Sequence, residues 1–384
     1  MLKEILNMTV KCRVCESNCF KDRLLCYSNM PSSAQGFLNF DELKSDFSSS
    51  LGIVQCQSCG LIQLDNEPVS YFKEVIRASA FSEEMRKFRL KQFKFWVKKF
   101  NLTDKKILEV GCGKGEYLEI LSDAGADAYG IEYSRESVEY CIHKNLNVTQ
   151  GFLGDKNSNI NNNFDGFMCL SFMEHWPEPN KVLNGLSVIL NEGAMGLIEV
   201  PNFDMILDDG LYSEFISDHL LYFTKETLIF TLQFNGFEVL SCESIWHNYI
   251  LSAVVRKRIK TDLEFFEGFR SQVRQDLDLF IEKFPANKVA IWGAGHQALA
   301  TISLTKIEKN IRYIVDSAIF KQGKYSPASH IKIVSEEELT KDPVDALIIM
   351  AGSYSKEIIK IMNLKYPLVE LAVLREFGLE FFED

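Results

Sequence analysis

No stretch of the 384 residues approaches the roughly 18 consecutive apolar residues that a bilayer span demands, so a membrane-spanning protein is not expected. The opening "MLKEILNMTV" lacks both the apolar core and the small-residue cleavage site of a secretory leader. Positive charge is also in deficit. There are 42 Lys and Arg against 53 Asp and Glu, a net charge of -11, and no basic face stands out. That balance argues against a nucleic-acid partner, and with neither leader nor span the expected compartment is the cytoplasm. Histidine is scarce, six in all, so every candidate proton acceptor of that type can be named. What remains, 46% hydrophobic and 25% charged, is the composition of an ordinary soluble enzyme. The length predicts two or three domains.

Cysteine is not scarce, and its placement is uneven. Six of the ten cysteines precede residue 60. Cys12 and Cys15 in "KCRVCESNCF" and Cys56 and Cys59 in "VQCQSCGLIQL" make two CxxC knuckles. In a reducing compartment such pairs read as metal ligands before they read as disulfides. Two knuckles supply the tetrahedral sulfur set that zinc prefers, with Gly60 where the chain turns back. Binding would release folding energy to a segment with little core of its own. A closed four-sulfur site has no open position, so this zinc is expected to be structural. The alternative is four buried or redox-active cysteines. Cys19 and Cys26 have no matching partner.

The middle of the chain carries "KKILEVGCGKGEYLEIL" over 105–121, a buried strand, a glycine turn and a helix start. Gly111, Gly113 and Gly115 let the backbone pass close to a ligand, and Glu109 ends the strand as an acceptor. "DAYGIEYSRESVEYC" then supplies a second strand ending in Glu132, placed to hold a ribose diol. Further strands follow in "NVTQGFL", "FDGFMCLSFMEHWPEPNKVL" and "GAMGLIEVPN", and "FEVLSCESIW" with "YILSAVVRK" predicts a terminal hairpin. That hairpin separates the pattern from a dehydrogenase. From about residue 260, Leu263, Phe266, Val273, Leu277 and Phe280 recur at helical spacing. "NKVAIWGAGHQALATISL" is a second strand, glycine turn and helix, and "IRYIVDS" ends in Asp316. Read alone, this second turn suggests NAD, but no hydride-transfer constellation accompanies it. Its helix N-terminus suits a phosphate or diphosphate.

The E-V-G-C-G-K-G and G-I-E pair resembles the class I S-adenosylmethionine-dependent methyltransferases. That resemblance implies that Gly111–Gly115 carry the methionine end of the cofactor and that Glu132 takes the ribose hydroxyls. It also sets Gly151 and Phe152 beside the adenine, and Leu170 and Ser171 near the sulfonium. The whole layout, with K-Q-G-K-Y-S-P-A-S-H at Lys321–His330, resembles the three-domain sugar C-methyltransferase family. It implies an α/β architecture in three parts: a zinc-binding domain (1–70), a class I methyltransferase domain with a Rossmann-like sheet (71–258), and a smaller C-terminal Rossmann-like domain (259–384).

Function follows as an expectation: methylation of carbon on a nucleotide-linked keto-deoxysugar, by a monomer with S-adenosylmethionine as donor and structural Zn2+. Carbon methylation beside a ketone needs a base, a group to hold the enolate oxygen, and the methyl donor on the far face. His219, in "FISDHLLYF", stands at the family's catalytic histidine, with Asp218 before it to orient the ring and raise its basicity. His175, in "SFMEHWPEP", follows the fourth strand; its motif occurs with acceptors of many kinds, so a structural role competes. His296 and Gln297, with Gly293, Gly295, Lys321 and Tyr325, are expected to meet the nucleotide or its diphosphate. His143, His247 and His330 have no stronger reading than a solvated or core ring. The chain departs from the family at Ile216 and Ser217, where a Tyr and a His are usual, and at Arg77, near the place of a second tyrosine. Two readings compete: an O- or N-methyltransferase on the same scaffold, and a non-catalytic nucleotide-sugar binding protein.

Overall fold

The computed structural model describes residues 10–18, 22–74, 82–155, 160 and 163–381. The chain divides into two compact units, Met1–Lys260 and Thr261–Asp384. Among the described residues no helix is long and apolar enough to cross a membrane.

The first unit opens with β1 (Arg23–Pro31), β2 (Ser48–Gln55) and β3 (Ile62–Leu64), paired antiparallel in that order. Then come β4 (Lys106–Val110), β5 (Asp127–Glu132), β6 (Asn147–Gln150), β7 (Phe164–Leu170) and β8 (Leu190–Pro201). β9 (Leu221–Tyr222), β10 (Phe237–Ile245) and β11 (Ile250–Lys257) complete it. The large sheet runs β10-β11-β8-β7-β4-β5-β6. Strands β8 to β6 are parallel, while β11 lies antiparallel between β8 and β10. β4 and β7 are almost wholly buried, as strands covered on both faces by crossover helices must be. The helices start where short polar side chains can take an N–H. Ser82 caps Glu83–Lys99 and Ser134 caps Arg135–His143. Arg89 on the first of these reaches Glu199 of β8 at 2.5 Å in a fully buried pair, which Ser252 of β11 completes.

The packing has no break near residue 70. β9 adds to β3, so the N-terminal sheet takes its fourth strand from far along the chain. Val14, Leu51 and Leu64 share one core with Trp176, Phe215 and Leu220. Arg13 and Asn180 add hydrogen bonds, to Pro177 O and Val14 O. A segment with little core of its own thus borrows one.

The second unit begins with the helix Glu264–Ile281, of which Val273, Leu277 and Phe280 are buried. Leu263 and Phe266, expected on the same stripe, are more than half exposed, because the helix meets its sheet only through its later turns. The strands are β12 (Val289–Trp292), β13 (Ile311–Val315), β14 (Ile333–Val334), β15 (Ala346–Ile349), β16 (Glu370–Arg375) and β17 (Gly378–Phe381). They run β14-β13-β12-β15-β16-β17, parallel except for the last.

Candidate active site

Strand order reverses between β4 and β7, and open parallel sheets take ligands beyond the carboxyl ends of their strands at such a point. The turn after β4 is built for close approach. Gly111 sits at φ +72°, and a Cβ there would lie 2.5 Å from the Phe172 ring. Gly113, at φ +55°, has nothing within 4 Å of where a Cβ would stand, which leaves a cradle beside the loop. Gly115, at φ +81°, starts the helix Glu116–Asp123 and would drive a Cβ into Leu146. Glu132 ends β5 with Oε2 accepting from Gly113 N (2.9 Å) and Oε1 from Ser134 N (2.8 Å). Burial lifts its carboxyl above the usual range against those N–H groups. Glu109 is buried at the end of β4.

Gly151 N donates to Glu132 O, and Phe152 follows it into the same cleft. Phe172 closes one side, edge-on to Phe152. Lys73 closes another: its ammonium lies 5.0 Å from the ring centroids of Tyr133 and of Phe152 and 2.8 Å from Asp155. Leu170 is buried at the end of β7; Ser171 is exposed at φ +51°, its N–H donating to Glu199 O. Lys73, Tyr133 and Phe172 escaped the sequence reading. The last two directly follow residues it named, whereas Lys73 carries no local signal.

His175 and His219 meet edge to face, ring centroids 4.8 Å apart. Asp218 does not serve His219 in the way its position suggested. Its Oδ1 accepts from Tyr71 OH (2.7 Å), Ala34 N (3.0 Å) and Ser217 Oγ (3.3 Å), so the side chain anchors the N-terminal segment. Its main-chain carbonyl accepts from His175 Nδ1 at 2.8 Å. Asp218 therefore orients the other histidine. The His219 imidazole is pushed down to about 3 by burial and by His175, and burial lowers His175 as well, so both rings are neutral at pH 7. Glu174 lies beside them, completely enclosed, its carboxyl pushed up to about 8 by burial. Tyr222 lies edge-on to His219, ring centroids 6.3 Å apart, its hydroxyl bonded to the Ile216 backbone. Ile216 itself brings no polar group.

The four knuckle sulfurs come together, with Cys12 to Cys59 at 3.6 Å and Cys15 to Cys56 at 3.5 Å. All four lie within 4.8 Å of one another. Tetrahedral thiolates at about 2.3 Å from zinc stand roughly 3.8 Å apart, so the set fits the ion. The knuckles are alike in backbone: Gly60 N donates to Cys56 O, Glu16 N to Cys12 O, and both residues have positive φ. The contact with Cys59 and burial push the Cys12 thiol up, and burial pushes Cys56 up to about 12. Crowded sulfurs resist ionising until a cation joins them.

In the second unit Gly295, His296 and Gln297 are exposed at the start of the helix His296–Thr305, and Gly293 precedes them at φ +121°. Lys321, expected to meet an anionic substrate, is engaged within the turn. Its ammonium binds Asp316 Oδ2 at 2.9 Å and Ala294 O at 3.1 Å. Tyr325 is exposed, as are His143, His247 and His330. Arg77 and Cys19 lie outside the described residues.

Residues 78–242 match the family model described as a methyltransferase domain, and 255–366 match that of a C-methyltransferase C-terminal domain. The chain is an S-adenosylmethionine-dependent methyltransferase. The C-methyltransferase NovU of Streptomyces niveus is 22% identical to this methyltransferase, with 93% of each chain covered. The ubiquinone biosynthesis O-methyltransferase of Paraburkholderia phymatum is 27% identical over 29% of this chain and 49% of its own. Among solved structures, an S-adenosylmethionine-dependent methyltransferase from Clostridium acetobutylicum aligns at a TM-score of 0.39 and 15% identity. That alignment covers 49% of this chain and 96% of the other.

Proposed function

We propose that this methyltransferase moves the methyl of S-adenosylmethionine to a carbon beside a ketone on a nucleotide-linked deoxysugar, with His219 taking the α-proton. The observation that carries the reading is the pair of neutral imidazoles after the β7 strand end, His175 buried and fixed through Asp218 O and His219 half-buried against it. A proton acceptor must be unprotonated at working pH, and burial keeps His219 so. An imidazolium formed there is costly by itself. The charge developing on the neighbouring enolate oxygen offsets it, since opposite charges in a dry site attract strongly. The cofactor supplies the methyl as an electrophile. Gly111, Gly113 and Glu132 would hold its two ends, while Phe152, Phe172 and Lys73 exclude water from it.

Support for carbon over oxygen comes from NovU, similar along nearly the whole chain, and from the C-terminal match at 255–366. The O-methyltransferase relative matches only part of the chain. The nucleotide-linked sugar rests on the Lys321–His330 stretch and on the exposed start of the helix His296–Thr305. Incubating the chain with labelled donor and a panel of nucleoside-diphosphate keto-deoxysugars should give a product one methylene heavier, its label resistant to acid hydrolysis. His219→Asn should lose about 10²–10⁴ in kcat with acceptor binding retained. An active His219→Asn, or a label released by acid, would return the acceptor to oxygen or nitrogen.

Structural zinc in Cys12, Cys15, Cys56 and Cys59 belongs to the same reading. Freshly purified protein should contain one equivalent of zinc by elemental analysis. Cys56→Ser should lower stability before it lowers cofactor affinity. Folded protein with less than half an equivalent would refute it.

A further inference from the structure

Glu174 has no part in the methyl-transfer reading, yet it meets both His175 and His219. A carbonyl can only accept, so the bond from His175 Nδ1 to Asp218 O puts the ring proton on Nδ1 and leaves Nε2 bare. Nε2 faces Glu174 Oε1 at 4.0 Å. The Glu174 side chain is 2% exposed, and its Oε2 has no hydrogen-bond partner among the described residues. His219 completes the group: one ligand atom from each of the three lies within 4.8 Å of the others. Two imidazoles and a carboxyl group thus converge at one point, and a buried polar atom such as Glu174 Oε2 ordinarily has a partner.

We infer that Glu174, His175 and His219 form a second metal site, distinct from the four cysteines, that takes a divalent transition ion such as zinc, cobalt or nickel. Two imidazoles and one carboxylate suit these ions and not calcium or magnesium, which prefer oxygen throughout. The bond from His175 to a backbone carbonyl is the support that metal-binding histidines usually have, since it fixes both tautomer and ring orientation. Glu174 and His175 are buried whereas His219 is only partly so, which gives the ion a way in on the His219 side. Three protein ligands leave a coordination position open. An ion bound to His219 takes the lone pair a base would use, so it would act as an inhibitor that a chelator relieves.

The test needs no acceptor substrate, so it stands or falls separately from the proposed reaction. Full-length protein with zinc on its cysteines is titrated with cobalt(II) alone. The expected result is one further equivalent with visible d–d bands and without the near-ultraviolet charge transfer of cobalt on thiolates. Glu174→Gln, nearly isosteric, and His219→Gln should each weaken that equivalent at least tenfold, and His143→Gln, on an exposed helix end, should not. No further equivalent up to millimolar cobalt would overturn the site. So would a further equivalent that both Glu174→Gln and His219→Gln retain.

Discussion

After β4 and after β12 the chain makes the same manoeuvre: a buried strand, a glycine turn, a helix, then a strand ending in an acidic residue. Glu132 in the first unit and Asp316 in the second both accept an N–H from their glycine turn and another from two residues on. There the likeness ends. Glu132 has backbone N–H groups around its carboxylate and, among the described residues, no cation bonded to it, so burial leaves it above its usual range. Asp316 is also penalised by burial, but the Ala318 N–H, the Lys321 ammonium and the Ala294 N–H outweigh that and hold it below the usual range. A carboxylate without a fixed cation keeps its charge for a ligand's hydroxyls. One already paired with a lysine has little left to offer. The same backbone pattern thus holds its two acids differently, and a lysine five residues after Asp316 makes the difference.

The glycines give the widest separation between the two turns. Gly111→Ala puts a Cβ against the Phe172 ring at a positive φ. Overpacking of about 1–3 kcal/mol and left-handed strain of about 1–2 kcal/mol should add. Gly295 has φ -80° and nothing within 4 Å of its would-be Cβ. Gly295→Ala should stay within about 0.5 kcal/mol of wild type. Thermal melts compare the two directly, and equal shifts would break the distinction.

Next in size are the acids. Glu132→Ala should weaken S-adenosylmethionine by about 1–3 kcal/mol in calorimetry, the usual worth of hydrogen bonds to a charged group. Asp316→Ala should leave that affinity unchanged. Unchanged binding in both variants would remove Glu132 from the cofactor site.

Much of this was legible in the sequence because it depends on neighbours along the chain. The turn at Gly111–Gly115, the strand end at Glu132 and the two CxxC knuckles are local patterns whose geometry follows from spacing. What escaped depends on residues brought together by folding. Lys73 reaches Phe152 and Tyr133 from far upstream, and β9 pairs with β3 across more than half of the first unit. Asp218 shows the limit most clearly. Its place next to His219 suggested that the side chain would serve that ring. Neighbouring residues in an irregular segment face different ways, however, so its carboxylate reached Tyr71 and its carbonyl reached His175. Lys321, expected at the nucleotide or its diphosphate, has a partner within the turn for the same reason: nothing in "DSAIFKQGK" says that a lysine folds back onto the aspartate five residues before it.

The smallest expected effect tests that lysine. Lys321 and Asp316 are partly exposed, 26% and 11% by side chain, so solvent and salt screen their attraction. Lys321→Met should therefore lower stability at pH 7 by about 1 kcal/mol or less. The pH dependence has a definite sign. Asp316 is held below its unfolded value, so its bonds contribute stability above that value, near 3.9, and lose it as pH falls through the lower folded value. Wild type and Lys321→Met should accordingly differ most at pH 7, with a gap that starts to narrow below about pH 4 and closes only as pH passes the lower folded value. Chemical unfolding at pH 7 and at pH 3.5 measures both, provided the protein is still folded at the lower pH. Should Lys321→Met keep full stability at pH 7 and instead raise KM for a nucleotide-linked acceptor, the ammonium must leave Asp316 to meet the ligand. The two turns would then both be ligand sites, one open and one opened by its substrate.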